Sequence, residues 1–165
     1  MKSLIVVMSL SACSFAHAQG TDTLTVDTAA VRECHATTPI GAIYPDCLGQ
    51  ASDRCQLQDG GGTTLGIATC ISAETAVWDA ILNEEYQALR AAFEGQDGGV
   101  GGATSDELLI ALRDAQRAWI AFRDADCGLR YTLYQGGTIR SIVAANCHMT
   151  TTARRALALR DMRAP

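Results

Sequence analysis

The sequence has few of the features that are typical of membrane-spanning or metal-binding proteins. Outside a short N-terminal stretch it has no apolar run of the roughly 20 residues that a membrane helix needs, so no transmembrane segment is expected in the mature chain. Lysine occurs once, as Lys2, and arginine supplies all other fixed positive charge. Histidine occurs three times and no C-x-x-C pair is present, which argues against a zinc site.

Motifs of catalysis and of phosphate binding are also lacking. No G-x-S-x-G nucleophile elbow occurs, and no G-K-[ST] follows the glycine-rich stretch 94–103. His35 and His148 each stand beside a cysteine, and the adjacent Glu84 and Glu85 point away from each other on a helix. We therefore expect a protein that is not an enzyme and that uses no cofactor or metal.

The first 18 residues have the form of a signal peptide. Lys2 supplies the positive charge, residues 4–10 form the apolar core, and a small-x-small cleavage site ends at Ala18. We therefore expect an exported chain, periplasmic or secreted. The alternative is a lipobox that ends at Cys13, in which case Cys13 would carry a lipid anchor at the membrane.

Cysteine is plentiful in the rest of the chain. An even number in a small exported domain indicates disulfides, here three of them. The six residues are Cys34, Cys47, Cys55, Cys70, Cys127 and Cys147.

The predicted helices narrow the choice of pairs. If residues 45–55 form a short helix, Cys47 and Cys55 stand about 12 Å apart, which is too far for a bond. Cys127 ends one predicted helix and Cys147 lies in the next, which favours one bridge. Cys55–Cys70 with Cys34–Cys47 is favoured for the rest, because an antiparallel arrangement places Cys55 beside Cys70. The alternative set is Cys34–Cys55 with Cys47–Cys70.

Three longer helices are predicted from the spacing of apolar residues, at 70–93, 105–127 and 139–162. Thr104 and Glu107 form a capping box before the second, and Thr138 can cap the third. The second helix is expected to pack an apolar stripe on the core: Leu108, Leu112, Ala115, Trp119 and Phe122.

The predicted fold is all-α, a small disulfide-braced helical bundle. An antiparallel helical hairpin is crossed by a third helix and covered by a cysteine-rich N-terminal cap. Four segments are expected: a signal peptide at 1–18, a flexible N-terminal segment at 19–33, the cap at 34–69, and a helical domain at 70–165 that forms one compact unit with the cap.

Charge is unevenly distributed along the mature chain. Residues 19–112 contain 14 acidic residues and 3 arginines, whereas residues 113–165 contain 4 acidic residues and 9 arginines. Either the two parts attract each other in the fold, or the acidic part faces a cationic partner. No nucleic-acid partner is expected, because the arginines lie mostly on helices and the chain is acidic.

Polar residues accompany the stripe of the second helix. Gln116, Trp119 and Arg123 share part of one face, and Asn83 and Tyr86 on the preceding helix could meet them. The cluster is either a hydrogen-bonded seam that sets the register of the hairpin or a contact for a ligand or partner.

The same residues resemble the lysozyme inhibitor LprI-type domain, a family of small exported bacterial proteins. Its hallmarks are L-N-x-x-Y on one helix and Q-R-x-W-x-x-[FY]-R-D-x-x-C on the next, and both occur within about residues 70–160. Residues that carry the resemblance include Trp78, Leu82, Asn83, Tyr86, Gln116, Trp119, Arg123, Asp124 and Gly137.

The resemblance implies a protein partner. The family is named after a lipoprotein that binds and inhibits lysozyme, so a cationic lysozyme is the implied partner, and the acidic part of the chain would attract it. The hallmark residues resemble hairpin scaffolding, and no inhibitory residue is carried over. The alternative is an envelope-associated interaction or structural domain that binds another protein and does not inhibit lysozyme.

Overall fold

The computed structural model describes residues 24–94 and 100–163. Five α-helices make up most of this part of the chain, and it contains no strand. They are α1 (Thr28–Thr37), α2 (Gln50–Gln56), α3 (Thr64–Glu94), α4 (Ser105–Leu133) and α5 (Arg140–Asp161). The predicted all-α fold is confirmed. The signal peptide, Cys13 and most of the glycine-rich loop lie outside the described residues.

Helix α3 is the centre of the bundle. Its length and composition alone would allow it to cross a membrane. Instead, its apolar side chains pack against all four other helices, and Trp78 and Leu89 are completely buried. This is the behaviour of the central helix of a globular bundle.

The N-terminal residues are held more firmly than predicted. Within the segment 19–33 that was expected to be flexible, Asp27 caps α1 by accepting a 3.1 Å hydrogen bond from the N–H of Ala30. Leu24 and Val31 are buried. The sequence did not indicate α1, because its two buried residues, Val31 and Cys34, give too weak a periodicity to detect.

The border between the cap and the helical domain also differs from the prediction. Helix α3 begins at Thr64 and therefore crosses the expected border at residue 70. Within the cap, α2 begins at Gln50 rather than near Pro45, because Gly49 has a positive φ of 89°. A left-handed residue cannot lie inside a helix, so the turn that holds Cys47 precedes α2.

Three disulfides brace the bundle, in the pairs that the predicted helices favoured. Cys34–Cys47, Cys55–Cys70 and Cys127–Cys147 have Cα–Cα distances of 5.8, 5.6 and 5.5 Å. The exclusion of a Cys47–Cys55 bond assumed one helix over both residues, and this assumption is wrong because Cys47 precedes α2. Three disulfides fit an oxidising compartment outside the cytoplasm.

The ends of α4 and α5 were partly predicted. The capping box is present: Thr104 Oγ1 accepts from the N–H of Glu107, and the Glu107 carboxylate accepts from the N–H of Thr104. The bond from the Thr104 N–H, together with a 2.9 Å bond that the Thr104 hydroxyl donates to the same carboxylate, lowers the pKa of Glu107. Helix α4 continues beyond Cys127 to Leu133, because one glycine there is not enough to end a long helix. The predicted cap at Thr138 is wrong, since Ile139 takes the N-cap position without a side-chain bond.

The face that α4 turns to the core differs from the predicted stripe. Leu112 is buried and Trp119 is half-buried, but Ala115 is exposed and Phe122 is 62% exposed. Arg123 is instead on the inner side, where its side chain is only 19% exposed. The predicted stripe is wrong because α4 is rotated about its own axis. Its polar residues therefore face α3 and α5, and Ala115 and Phe122 are exposed.

Candidate partner-binding surface

A groove of about 690 Å³ is bounded by α2, α3, α4, α5 and the loop before α2. Ile67 and Ile71 of α3 and Ile142 and Val143 of α5 provide its apolar lining. Polar residues of α2, α4, α5 and the loop before α2 border it, so the groove combines an apolar lining with hydrogen-bonding groups. This composition is common in sites that bind a segment of another protein.

Two exposed aromatic side chains line this groove. Tyr44 is 49% exposed and Phe122 is 62% exposed. Arg154 fixes Tyr44, because its Nη1 donates a 3.2 Å hydrogen bond to the Tyr44 hydroxyl and its guanidinium lies 4.9 Å from the ring centre. Aromatic residues held in place before binding lose little entropy on binding, so they make strong contacts in interfaces.

A row of exposed apolar residues continues from Phe122 along α4, and we call it the outer stripe. Its larger members, Leu129 and Leu133, are 57% and 70% exposed. The complete outer stripe is Ala111, Ala115, Ala118, Phe122, Ala125, Leu129 and Leu133. Contiguous apolar surface of this kind marks an interaction site more often than isolated exposed residues do.

An acidic and sulfur-containing cluster at the groove is not available to a metal. Asp126, Cys127 and Cys147 bring their possible ligand atoms within 4.8 Å of one another. The two sulfurs are bonded to each other, and Asp126 accepts a 3.0 Å hydrogen bond from Arg130. These groups are therefore occupied by structural contacts.

The predicted polar seam forms, but mainly between α4 and α5. Arg155 Nε donates a 2.9 Å hydrogen bond to Gln116 Oε1. The Trp119 ring has Arg123 at 5.0 Å and Arg155 at 5.9 Å from its centre. Burial lowers the pKa of Arg155. Sequence analysis missed Arg155, which has no sequence signal other than its position in the arginine-rich C-terminal part.

The two residues of α3 that could meet the seam form no direct hydrogen bond with it in residues 24–94 and 100–163. Asn83 is exposed and donates a 3.3 Å hydrogen bond to Asp79. The Asp79 carboxylate in turn lies 3.8 Å from Arg123 Nη1. Tyr86 packs on the hydrophobic core, as Trp119 does. Direct contact of Asn83 or Tyr86 with the seam stays a prediction.

The other hallmark residues occupy positions in the core or in the connections. Trp78 and Leu82 are buried in α3. Asp124 is exposed and accepts a 2.9 Å hydrogen bond from Arg123 Nε. Gly137 lies in the turn between α4 and α5, where its N–H donates to the carbonyl of Tyr134.

The two oppositely charged parts of the chain are joined by few ion pairs. Among the described residues, Arg123–Asp79 and Arg163–Glu85 connect them. Within the same described ranges, the acidic residues of α1, α2 and the neighbouring loops form no ion pair: Asp27, Glu33, Asp46, Asp53 and Asp59. Attraction between the parts therefore neutralises little of the acidic charge, which favours the alternative of a cationic partner.

Comparison with known protein families identifies the family of this chain. The family model of the lysozyme inhibitor LprI matches residues 55–159. The chain belongs to this family. An uncharacterized protein of Rhizobium meliloti (strain 1021) is 32% identical over 95 residues, which cover 56% of this chain and 68% of that protein. No solved structure matches.

The LprI match covers most of the groove, but of the five acidic residues without an ion pair named above it covers only Asp59. It includes α3, α4, nearly all of α5, and the bridges Cys55–Cys70 and Cys127–Cys147. It begins at residue 55, which is 15 residues before the stretch 70–160 that contains the hallmark motifs. Helix α1, the Cys34–Cys47 bridge and Tyr44 precede it. A property shared by LprI proteins would therefore be expected on the α4 and α5 sides of the groove.

Proposed function

We propose that this protein binds a lysozyme and inhibits it, and that the groove and the outer stripe of α4 form the contact surface. Membership of the LprI family supports this function most strongly, since the matching family is described as a lysozyme inhibitor. All lining residues of the groove except Tyr44 belong to the matched part of the chain.

Exposure of Phe122 supports this choice of surface. A phenylalanine that is 62% exposed contributes little to folding, yet it lies where the apolar groove meets the outer stripe. Burying it against a partner would remove a large apolar area from water. Together with Tyr44, it provides the aromatic anchors that dominate the energy of many interfaces.

The acidic residues of α1, α2 and their loops have a different role in this proposal. A cationic enzyme would be attracted to them over a distance of about one Debye length, roughly 8–10 Å at physiological salt. Such a field raises the association rate more than it lowers the dissociation rate. We further propose that the mature chain acts outside the cytoplasm, either free after cleavage at Ala18 or anchored through Cys13.

The test is a lysozyme assay with oxidised residues 19–165, in which peptidoglycan hydrolysis is followed against increasing amounts of the protein. We expect stoichiometric inhibition that persists at physiological salt. Inhibition at low salt alone would indicate general charge attraction and would contradict a specific contact. Absence of inhibition would reject this function and leave an envelope-associated domain with another partner.

A pair of variants tests the proposed surface. Phe122→Ala should weaken inhibition about tenfold or more, as expected for loss of an aromatic anchor. Leu65→Ala is the matched control, because Leu65 is 66% exposed but does not line the groove. Both variants should keep the melting temperature of the native protein. Equal inhibition by the two variants would exclude the Phe122 side of the groove.

A further inference from the structure

Helix α4 contributes little of its surface to the core of the bundle. Only Leu112 and Cys127 are buried among its 29 residues, whereas α3 buries nine residues and α5 buries seven. Most of the stability of a helix in a protein comes from packing an apolar face against a neighbour. The outer stripe is an apolar face of α4 that is exposed throughout, and none of its residues is charged.

The outer stripe has the spacing of a helix-pairing seam. Apart from Leu133, it consists of two series in which successive residues are seven apart. These series are Ala111, Ala118 and Ala125, and Ala115, Phe122 and Leu129. Together they have the a and d spacing by which two helices pack along one another. All six positions are exposed in the described residues, so packing inside one chain does not explain the repeat.

Large and small residues of the outer stripe are placed so that one copy of α4 fits against another in the antiparallel direction. With a twofold axis midway between Phe122 and Ala125, each large side chain faces an alanine of the second copy. The facing pairs are Phe122–Ala125, Leu129–Ala118 and, one residue out of register, Leu133–Ala115. Alternation of large and small residues across facing positions lets the side chains of two helices interdigitate.

A parallel pair of α4 helices would pack less well. Equivalent residues would face each other, so that Phe122 would meet Phe122 and Ala118 would meet Ala118. The aromatic layer would then hold the helices apart, and the alanine layers would leave voids, which are unfavourable in a packed contact. The antiparallel arrangement avoids this. Its twofold symmetry also closes the contact at two copies.

We propose that a second copy of this chain packs antiparallel on the outer stripe of α4 and forms a twofold-symmetric dimer. The paired part, from Ala115 to Leu133, is about 27 Å long at about 1.5 Å per residue. A contact between one pair of helices lies at the small end of protein interfaces. The dimer should therefore be reversible, with a dissociation constant of roughly 1–100 µM.

This dimer does not depend on the binding of lysozyme. The outer stripe is also part of the proposed lysozyme contact, so lysozyme and the second copy would exclude each other. That competition, unlike the dimer itself, rests on the proposed function. The dimer is measured without lysozyme, so a monomeric protein that inhibits would overturn the dimer alone, and a dimer that does not inhibit would overturn the proposed function alone.

The first test is sedimentation equilibrium of the oxidised mature protein from about 5 to 500 µM, over which the average mass should rise from one chain towards two. Ala125→Glu places a carboxylate against Phe122 of the second copy and should weaken association at least tenfold. Ala80→Glu, at an exposed position of α3, is the matched control and should associate as the native protein does. Both variants should keep the native melting temperature. A native protein that stays monomeric, or equal association of the two variants, would overturn the proposal.

A mixture of two variants tests the antiparallel direction. Ala118→Glu and Leu129→Lys should each be largely monomeric alone, because each would bury a charge without a partner. In an antiparallel pair of one chain of each, the introduced carboxylate faces the introduced amine, and the native Ala118 faces the native Leu129. The equimolar mixture should therefore associate at least tenfold more tightly than either variant alone. These positions do not face each other in a parallel pair, so a mixture that stays monomeric would refute the antiparallel seam.

Discussion

Glu74 of α3 accepts a 2.7 Å hydrogen bond at Oε2 from the backbone N–H of Ser52 in α2. Its other oxygen accepts from the N–H of Gly49 at 2.8 Å and from Trp78 Nε1 at 3.2 Å. The residue is 1% exposed. Helix α2 has no side-chain cap of its own, so this buried carboxylate satisfies the N–H groups at its start.

Replacement of this carboxylate should loosen the cap. Glu74→Gln turns one acceptor oxygen into an NH₂ group that faces a backbone N–H, so we expect a loss of about 1–3 kcal/mol in the free energy of unfolding. Urea denaturation measures it. Glu33→Gln is the control, because Glu33 is exposed and without an ion pair among the described residues. Equal stability of the two variants would show that α2 does not depend on Glu74.

The bridge between Cys127 and Cys147 should hold α4 to the bundle. It closes a span of 20 residues, and α4 buries only Leu112 besides Cys127. Substituting both cysteines with alanine should lower the free energy of unfolding by about 3 kcal/mol in the chain-entropy model. The measurements are chemical denaturation and the fluorescence of Trp119, recorded in a Trp78→Phe background so that Trp119 is the one emitting tryptophan. This emission should shift to longer wavelength if α4 separates.

The Cys34–Cys47 bridge provides a control of comparable span, 13 residues. Its removal should also destabilise the protein, but it should leave the environment of Trp119 unchanged, because that bridge joins α1 to the loop before α2. If both double variants shift the Trp119 emission equally, the bridges do not act on separate parts of the bundle.

The pH dependence of stability should report on His35. Burial lowers the pKa of His35, and nearby Arg160 and Arg163 act in the same direction, whereas Glu85 and Glu84 oppose them. The folded state therefore takes up a proton less readily than the unfolded chain. The stabilisation is complete above the ordinary histidine pKa of about 6.5 and is lost as the pH falls through the lower folded-state value.

A glutamine at position 35 should remove this part of the pH dependence. Between about pH 7.5 and pH 5.5, the melting temperature of the native protein should fall further than that of His35→Gln. Thermal unfolding followed by circular dichroism at both pH values measures the difference. A larger fall in the variant would mean that protonated His35 stabilises the fold, contrary to the effect of its burial.

The acidic residues near α2 should govern how fast a cationic lysozyme associates, if it is the partner. In the combined variant Asp46→Asn, Asp53→Asn and Asp59→Asn, we expect an association rate several-fold lower at low salt and an unchanged dissociation rate. Biolayer interferometry at low and physiological salt measures both. A faster dissociation would instead place these residues inside the contact. Unfolding should change little, because none of them has an ion pair in residues 24–94 or 100–163.

Features that depend on neighbours in sequence were predictable. The capping box at Thr104 involves residues three apart, and the long helices follow from a period that is visible in any 15-residue window. The disulfide pairs were also predictable, because the positions of the cysteines within the predicted helices and at their ends restrict which of them can come close enough to bond. The choice of pairs nevertheless used a helix over Cys47 that the structure does not contain.

The rotation of α4 could not be predicted from its residues. Its inner face contains Gln116 and Arg123, whereas its outer face contains Phe122 and several alanines. A hydrophobicity pattern ranks the second face as the core. The polar face nevertheless lies inward, because Arg155 of α5 and Asp79 of α3 provide partners for its polar side chains. These partners make the burial of polar groups favourable.

By itself, the sequence determined that this is an all-α, disulfide-braced LprI protein. Helix periodicity, the positions of the cysteines and the order of the hallmark residues can all be read directly along the chain. Only the tertiary structure decided which side chains lie unpaired or exposed. The buried carboxylate of Glu74 has partners 22 and 25 residues away, and the buried Thr152 hydroxyl has no hydrogen-bond partner in residues 24–94 and 100–163. Such environments are set by packing between distant segments, and no local pattern encodes them.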